Sequence, residues 1–149
     1  MKKLVVHIGH PKTGSSFLQS VFALNAERMA QLGIFYPEHP SIANAKKGKI
    51  SSGNGNLLEM NRFLETNRLD TSHPKILFSN ELLFKTLAEK PEHVSKLSEL
   101  YDLEVVIYLR DVIAHRVSGW GQRVKRGGGF EDLNTFLMTN QYTVLDRVL

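Results

Sequence analysis

Two kinds of apolar pattern alternate along the chain, short apolar runs and longer stretches with helical spacing. The runs have the length and residue types of β-strands, and they cover 4–8, 33–37, 75–79 and 104–109. Helical spacing predicts helices over 15–32, 57–64, 91–101, 130–137 and 140–149, with two more opening near 80 and 111. Because strands and helices alternate, we predict one domain over 1–149, an α/β fold with a mainly parallel sheet flanked by helices in three layers.

Segment 38–56 differs from the rest because it has few apolar residues and is rich in glycine, serine, asparagine and lysine. Loops of this length inside a compact domain are usually functional or disordered. We therefore predict a long mobile loop that faces the substrate.

Residues 9–16, which we call the anion loop, join the first predicted strand to the first predicted helix. Gly9 and Gly14 allow the backbone to turn with its N–H groups pointing inward, and Lys12 adds a full positive charge. A helix N-terminus carries unpaired N–H groups and a partial positive charge. Hydroxyl donors follow at the same place, from Thr13, Ser15 and Ser16. The anion loop therefore predicts a phosphate or sulfate site, although its lysine precedes the second glycine and so departs from a Walker A motif.

Composition narrows the class of ligand. The net charge is +4 and the pI about 9.4, which favours anionic ligands, but the basic residues are spread out, with only small clusters at 46–49 and 123–126. Such clusters are more typical of solvated loops than of a nucleic-acid interface. The chain has no cysteine, which excludes disulfides and thiol nucleophiles. No apolar stretch approaches the ~20 residues of a membrane span or the ~7–15 of a signal peptide core. We therefore predict a cytoplasmic protein without nucleic-acid or membrane partners.

A second anion site is predicted where the strand 104–109 runs into a helix. Arg110 follows that strand directly, at the sheet edge where ligands bind in open α/β folds. Ser118 lies about two helical turns further on, so both side chains are predicted to reach one anion.

These two segments resemble the signatures of the sulfotransferases that use 3′-phosphoadenosine 5′-phosphosulfate (PAPS). Pro-Lys-Thr-Gly-Ser-Ser at 11–16 is similar to their 5′-phosphosulfate loop, usually Pro-Lys-[Ser/Thr]-Gly-Thr-[Thr/Ser]. Arg110, Asp111 and Ser118 are similar to their 3′-phosphate site, although Val112 stands where proline is usual. Weaker landmarks of bacterial and carbohydrate-type members are Gly-Ile-Phe-Tyr-Pro at 33–37 and Ser-Asn-Glu-Leu at 79–82.

The resemblance implies a P-loop NTPase-like sulfotransferase fold and transfer of a sulfuryl group from PAPS to a hydroxyl or amine of a small-molecule or carbohydrate acceptor. It implies that Lys12 acts in catalysis by stabilising the leaving phosphate, and that no metal is needed. The 5′-phosphosulfate would be held by Pro11, Lys12, Thr13, Gly14, Ser15 and Ser16, and the 3′-phosphate by Arg110 and Ser118.

An acceptor hydroxyl also needs a general base. Glu81 is the first candidate because it follows the predicted strand 75–79, at the carboxyl edge of the sheet. Its alternative role is a carboxylate that interacts with a helix dipole. His39, His10 and His7 are further candidates, and the pair at 7 and 10 lacks a third ligand that would make a metal site.

Two other function classes stay open. A P-loop nucleotide kinase or NTPase would need magnesium, for which Asp111 and Glu81 are candidate ligands, and the position of Lys12 argues against it. A non-catalytic module would bind the nucleotide without transferring sulfate. Because members of the resembled family usually continue into a C-terminal Arg-Lys-Gly-type loop, we expect this chain to correspond to their N-terminal portion. A chain of that kind could bury an exposed apolar edge by forming a homodimer.

Overall fold

The computed structural model describes residues 1–9, 12–47, 49, 53–66, 72–127 and 131–139, and for 63 and 64 it describes the backbone alone. The chain divides into two compact units, Met1–Tyr108 and Leu109–Leu149, and each is described by itself. The single domain predicted from the sequence stays a prediction.

The first unit is an α/β structure whose four strands are all parallel, in the order β2-β3-β1-β4. This confirms the predicted fold class of a parallel sheet flanked by helices, while the P-loop-like fold stays a prediction. In chain order its elements are β1 (Lys3–His7), α1 (Ser15–Leu24), α2 (Ala26–Gln31), β2 (Ile34–Phe35), α3 (Pro40–Lys46), α4 (Leu57–Glu65), β3 (Lys75–Ser79), α5 (Leu82–Glu89), α6 (Pro91–Leu100) and β4 (Asp102–Val106).

Helices cover both faces of the sheet. Successive strand residues point to opposite faces, and apolar residues occur on both. In the register of β1 with β3, Val6 pairs with Phe78 and Val5 with Leu77. Val6 and Phe78 belong to a buried cluster with side chains of α4, α5 and α6, namely Met60, Leu83, Leu87 and Leu97. Val5 and Leu77 belong to a second cluster, with side chains that include Ala23 of α1 and Ile42 and Ala45 of α3. The sheet is therefore the middle of three layers.

The strand order places a topological switch at β1. From β1 the chain passes to β2 and β3 on one side of it, and then crosses to β4 on the other side. In open parallel sheets, ligands bind at the carboxyl ends of the strands where the order reverses. The anion loop leaves the carboxyl end of β1 and therefore lies at this position.

The helix predicted over 15–32 is two helices, and the break is at Asn25. The backbone of Asn25 has φ −110° and ψ 17°, and its side-chain amide donates a hydrogen bond to the carbonyl oxygen of Val21 at 2.7 Å. Asparagine side chains compete in this way with the helical backbone pattern. The prediction of one continuous helix was wrong for that reason.

The prediction of a long mobile loop over 38–56 was also wrong where the structure describes the segment. It contains α3, and His39 caps that helix by accepting a hydrogen bond at Nδ1 from the N–H of Ser41. Further on, Asn54 bonds to β3 like a neighbouring strand. Its N–H donates to the carbonyl of Ser79 at 3.1 Å, its Oδ1 accepts from the N–H of Ser79 at 2.8 Å, and its Nδ2 donates to the carbonyl of Leu77 at 2.9 Å. Asn54 thus covers the edge of β3 beyond the point where the short β2 ends.

The strand predicted over 104–109 is shifted, since β4 begins at Asp102 and ends at Val106. The length of β1 explains the shift, because its residues from Lys3 to His7 pair one to one with β4. The carbonyl of Val106 accepts one more hydrogen bond, from the N–H of Ile8 at 3.0 Å, and the ladder then stops.

The second unit contains α7 (Val112–Lys125) and α8 (Leu133–Thr139). Trp120 Nε1 of α7 donates a hydrogen bond to the carbonyl of Glu131 at 3.0 Å, and Arg116 of α7 donates one to the carbonyl of Phe136 in α8 at 2.8 Å. The helix predicted over 130–137 begins later, at Leu133, and the one predicted over 140–149 lies outside the described residues. Within the described ranges of both units, every helix is too short or too polar to cross a membrane.

Candidate functional site

The anion loop contains a strained backbone. Lys12 has a φ of 69°, and within the described part of the chain it is the one residue with a positive φ that is not a glycine. Its side chain is half-buried. The left-handed conformation costs a residue with a Cβ roughly 1–2 kcal/mol. Gly14, two residues later, has φ 92°. Strain of this kind is concentrated at ligand-binding sites, where the surrounding structure enforces it.

Helix α1 begins directly after this turn. Its N-cap residue is Gly14, which has no side chain to cap the helix, and its first turn contains no acidic residue. The carbonyl of Gly14 accepts hydrogen bonds from the N–H groups of Phe17 and Leu18, so helical bonding starts at once. The partial positive charge of the helix is therefore available to an anion that lies over Gly14.

The hydroxyl groups of the anion loop differ in how deeply they are buried. Ser15 is buried, and its Oγ lies 2.6 Å from where a Cβ would stand at Gly9, so only glycine fits there. Thr13 Oγ1 lies 3.4 Å from Ser15 Oγ, and Thr13 and Ser16 are half-buried. Ser15 therefore lies beneath the turn with its hydroxyl against Gly9. Pro11 and His10 lie outside the described residues.

A layer of buried polar side chains lies beneath the anion loop, on the face of the sheet that α1 covers. We call it the buried polar layer, and it consists of His7, Gln19, Tyr36 and Ser79. His7 is 2% exposed, its Nδ1 is 2.7 Å from Ser79 Oγ, and its carbonyl accepts a hydrogen bond from the N–H of Asn80. Burial lowers the pKa of His7, which favours the neutral ring.

Polar atoms of this layer lack hydrogen-bond partners among the described residues. They are His7 Nε2, both amide atoms of Gln19 and the hydroxyl of Tyr36. Gln19 is 1% exposed and stands one helical turn after Ser15 on the buried face of α1. Buried polar atoms are nearly always paired, so each exception points to an ordered water or a functional role. Sequence reasoning missed Gln19, because the buried face of α1 consists of Ser15, Gln19 and Ala23, whereas Phe17 and Leu24 of the apolar pattern are exposed.

Glu81 lies where it was predicted, at the carboxyl edge of the sheet. It follows the end of β3 by two residues and is the half-buried N-cap residue of α5. Its side chain makes no capping bond, and Asn80 performs that function instead, accepting a hydrogen bond at Oδ1 from the N–H of Leu82 at 2.8 Å. The carboxylate of Glu81 is therefore not committed to capping α5.

His39, the next candidate base, has both ring nitrogens engaged. Its Nδ1 lies 2.8 Å from Ser41 Oγ, and its Nε2 lies 3.1 Å from Glu59 Oε2. A hydrogen bond from the N–H of Asn56 lowers the pKa of Glu59, and His39 lowers it further. His39 and Glu59 thus form a fixed pair between the start of α3 and the first turn of α4.

Arg110 and Ser118 belong to the second unit. Arg110 is exposed and immediately precedes Asp111, the N-cap of α7, whose carboxylate accepts a hydrogen bond from the N–H of Ala114 at 2.8 Å. The helix therefore begins as predicted, but a strand running straight into Arg110 does not exist, because β4 ends at Val106. Ser118 lies in the second turn of α7. That the two side chains bind one anion stays a prediction.

Metal-ligating side chains do not cluster in the described ranges, where no group of three or more histidine, aspartate or glutamate residues could hold an ion. His10 lies outside these ranges. The expectation that no metal takes part therefore stays a prediction from the sequence.

Comparisons with protein-family models, with curated proteins and with solved structures give no match for this chain. The resemblance to the PAPS-dependent sulfotransferases therefore rests on residues of this chain alone.

Proposed function

We propose that the protein transfers a sulfuryl group from PAPS to a hydroxyl or amine of an acceptor. The observation that carries the proposal is the strained Lys12 in front of the uncapped helix α1, at the switch point of a parallel sheet. A positive side chain, loop N–H groups and a helix dipole together suit a doubly charged phosphosulfate.

The chemistry fits the charges of the anion loop. When the bond between sulfur and the bridging phosphate oxygen breaks, its electron pair stays on that oxygen and leaves negative charge there. Lys12 and the N–H groups of the loop stabilise this charge, which is greater in the transition state than in bound PAPS. Thr13 and Ser16 supply hydroxyl donors, Gly14 allows close approach of the backbone, and Ser15 supports the turn from below.

The acceptor forms the new bond to sulfur. Its oxygen or nitrogen forms the new bond to sulfur and must lose a proton, for which Glu81 is the proposed general base. The products are the sulfated acceptor and adenosine 3′,5′-bisphosphate, and the proton is on the carboxylate of Glu81. The half-buried place of Glu81 beside the end of β3 supports access to a substrate at the sheet edge.

The donor's 3′-phosphate distinguishes PAPS from ordinary nucleotides. The sequence assigns this group to Arg110 and Ser118, and we retain that assignment as part of the proposal. A guanidinium can bind a phosphate through two parallel hydrogen bonds, which a lysine in its place could not reproduce. We also retain the predicted cytoplasmic location, which the lack of cysteine supports.

Calorimetric titration tests the donor site. Adenosine 3′,5′-bisphosphate, adenosine 5′-monophosphate and ATP are each titrated with and without magnesium into the wild type and into Lys12→Ala, Arg110→Ala and Lys85→Ala. Lys85 lies on α5, is exposed, and serves as the matched control for removal of a lysine. We expect the bisphosphate to bind best without magnesium, and Lys12→Ala and Arg110→Ala to weaken it by about tenfold or more, the value of a charged hydrogen bond.

The other outcomes select the other function classes. Preference for ATP that depends on magnesium would indicate a nucleotide kinase or NTPase. Bisphosphate binding without sulfate transfer to any hydroxyl compound, in the wild type as in Glu81→Gln, would indicate a non-catalytic module.

A further inference from the structure

The ring of His7 lies between the end of β3 and the start of the anion loop. On one side, its Nδ1 is 2.7 Å from Ser79 Oγ. On another side, its Cε1 is 3.1 Å from the point where a Cβ would stand at Gly9, and Ser15 Oγ is 2.6 Å from the same point. Because Gly9 has no side chain, the ring and the Ser15 hydroxyl both lie close to the backbone of the loop.

One nitrogen of this ring has no hydrogen-bond partner among the described residues. It is Nε2, which is bonded to Cε1 and therefore lies near the Gly9 side of the ring. His7 is 2% exposed, so bulk water does not reach this nitrogen. The rings of Phe22 and Tyr108 pack against the imidazole in T-shaped arrangements, with centroid distances of 6.5 Å and 5.3 Å. The imidazole is thus held in place, and its second nitrogen is available for a proton.

The Ser79 hydroxyl can bond to His7 in either charge state of the ring. A hydroxyl both donates and accepts, so Ser79 Oγ donates to Nδ1 when that nitrogen carries no hydrogen and accepts from it when the ring is protonated. Ser79 is itself buried, and its hydroxyl is paired with His7. Protonation of His7 therefore needs only a rotation of this hydroxyl, and it places a full positive charge beside the anion loop.

The surroundings of the ring lack a negative charge that would stabilise an imidazolium. Burial is the cause that lowers the pKa of His7, and no carboxylate of the described residues raises it. Helix α1 contains no ionisable side chain, and Tyr108 adds a phenol. The other ionisable groups on the connected segments are Lys12 and His10 of the anion loop and Glu81, which follows β3 by two residues. An anion in the loop would supply the missing counter-charge.

A bound anion and a proton on His7 should therefore stabilise each other. Opposite charges attract more strongly near a buried group than in water, because the effective dielectric constant is lower there. Since the ring is buried against Gly9, it acts through its electric field and not by contact with the anion. The coupling is reciprocal, so the factor by which the proton tightens anion binding equals the factor by which the anion tightens proton binding.

We propose that His7 is a second cation of the anion site, which takes up a proton from solvent when a doubly charged anion binds and returns it when the anion leaves. The proposal rests on the proposed donor site, to which it adds a buried residue and a proton. During sulfuryl transfer, the imidazolium and Lys12 together stabilise the negative charge that forms on the leaving phosphate.

Titration of the histidine ring signals in the nitrogen-15-labelled protein tests the proposal. The ligand is inorganic sulfate, which keeps both charges over the pH range used, at up to about 50 mM and at an ionic strength held constant with chloride. Spectra from pH about 4 to about 8 give the midpoint of each histidine. We expect sulfate to raise the midpoint of His7 by about one pH unit, equivalent to about tenfold tighter binding to the protonated protein. The midpoint of His93, on α6, should not move.

The affinity for sulfate identifies the responding histidine a second time. Amide shifts of residues 12–17 give the Kd at pH about 7.5 and about 5.5, and the wild type should bind about three- to tenfold more tightly at the lower pH. The variant His7→Gln should lose this dependence. His93→Gln, the matched control for removal of a histidine, and His10→Gln, which removes the histidine of the anion loop, should both keep it.

The proposal is overturned if sulfate leaves the midpoint of His7 unchanged, which would mean that Nε2 is paired with an ordered water and the ring stays neutral. It is also overturned if His10→Gln, and not His7→Gln, removes the pH dependence. Adenosine 3′,5′-bisphosphate and adenosine 5′-monophosphate, titrated on the same sample, report on the proposed function.

A raised His7 midpoint without preference for the bisphosphate would reject the sulfotransferase and keep the role of His7. Preference for the bisphosphate with an unchanged midpoint would reject the role of His7 alone. If neither sulfate nor the bisphosphate shifts the amides of residues 12–17, both proposals are wrong.

Discussion

The two faces of the sheet differ although the same strands supply both. On the face covered by α4, α5 and α6, Leu4, Val6, Ile76 and Phe78 make an apolar core along the whole of β1 and β3. On the face covered by α1 and α3, Val5 and Leu77 are apolar, but the next residues in the alternation are His7 and Ser79. The second face therefore changes from apolar to polar between Val5 and His7 on β1 and between Leu77 and Ser79 on β3.

The buried polar side chains of the second face lie next to the candidate site, and they do not contribute to stability as apolar side chains would. Burial of polar groups without partners costs free energy, so a face designed only for stability would not contain them. The buried polar layer lies at the carboxyl end of the sheet, directly beneath the anion loop. Both faces therefore contribute an apolar cluster, and the α1 face also contains buried polar atoms without partners among the described residues, at the end of the sheet where the anion loop begins.

The largest effect is expected from Phe78→Ala on the apolar face. Phe78 is 2% exposed and belongs to the main core cluster, so the variant should lose about 3–5 kcal/mol in the free energy of unfolding. Urea denaturation measures the loss. Leu58→Ala, at a leucine of α4 that is 66% exposed, is the control and should lose less than about 1 kcal/mol. Equal losses in the two variants would contradict the burial of Phe78 in this core.

A smaller effect is expected where the segment after α3 meets β3. Gly53 and Gly14 share a φ of 92°, but a Cβ at Gly53 would stand 1.6 Å from the carbonyl oxygen of Ser79, whereas at Gly14 nothing lies within 4 Å. Both alanine variants carry the backbone strain, and only Gly53→Ala carries the clash. We expect Gly53→Ala to be less stable than Gly14→Ala by about 2–3 kcal/mol in urea denaturation. Equal stabilities would mean that Asn54 does not hold this segment against β3.

Gln19→Met tests the cost of the buried polar layer. Because neither amide atom of Gln19 has a partner among the described residues, an apolar side chain of similar size should raise the free energy of unfolding by about 1 kcal/mol. The exposed Gln31 of α2 provides the control variant Gln31→Met, which should change stability by less than about 0.5 kcal/mol. A loss of stability in Gln19→Met would show that the amide is paired in solution.

The smallest effect is the pH dependence of His7. Its pKa in the folded protein lies below the ordinary value of 6.5, so the unfolded chain binds the proton more readily. The stabilisation by neutral His7 is complete above 6.5 and decreases as the pH falls below that value, by at most about 1.4 kcal/mol per pH unit.

Urea denaturation at pH about 7.5 and about 5.5 measures this dependence as a difference between wild type and His7→Gln. The loss between the two pH values should be smaller in His7→Gln. Gln19→Met, which changes the same layer without removing a titrating group, should keep the loss of the wild type. An unchanged loss in His7→Gln would show that His7 is not the residue that responds.

Where apolar periodicity is strong, the strands and helices could be predicted from the sequence. The prediction failed where a single side chain or a pairing partner determines the end of an element. The strand over 75–79 and the helix start at Ser15 agree with β3 and α1. The break at Asn25 depends on one amide that bonds to Val21, and the early end of β4 depends on the length of β1. Local patterns do not encode such pairings.

The candidate site could also be predicted only in part from the sequence. The anion loop was identified from glycine, lysine and hydroxyl residues that are adjacent in sequence, and the left-handed Lys12 and Gly14 agree with a tight turn. The pairing of His7 with Ser79 and of Asn54 with β3 joins residues far apart in the chain. Only the fold brings these residues together, so sequence periodicity could not have found them.

The central place of β1 in the sheet has a consequence for how the protein is made. His7 and Ser79, which pair side by side, are 72 residues apart in the chain. At translation rates of about 5–20 residues per second, roughly 4–15 s pass between their syntheses. During that interval Leu4, Val5 and Val6 have neither neighbouring strand, and β4 comes later still. The strand that ends between two neighbours is thus the one that waits longest as an exposed apolar chain on the ribosome, where chaperones bind such segments.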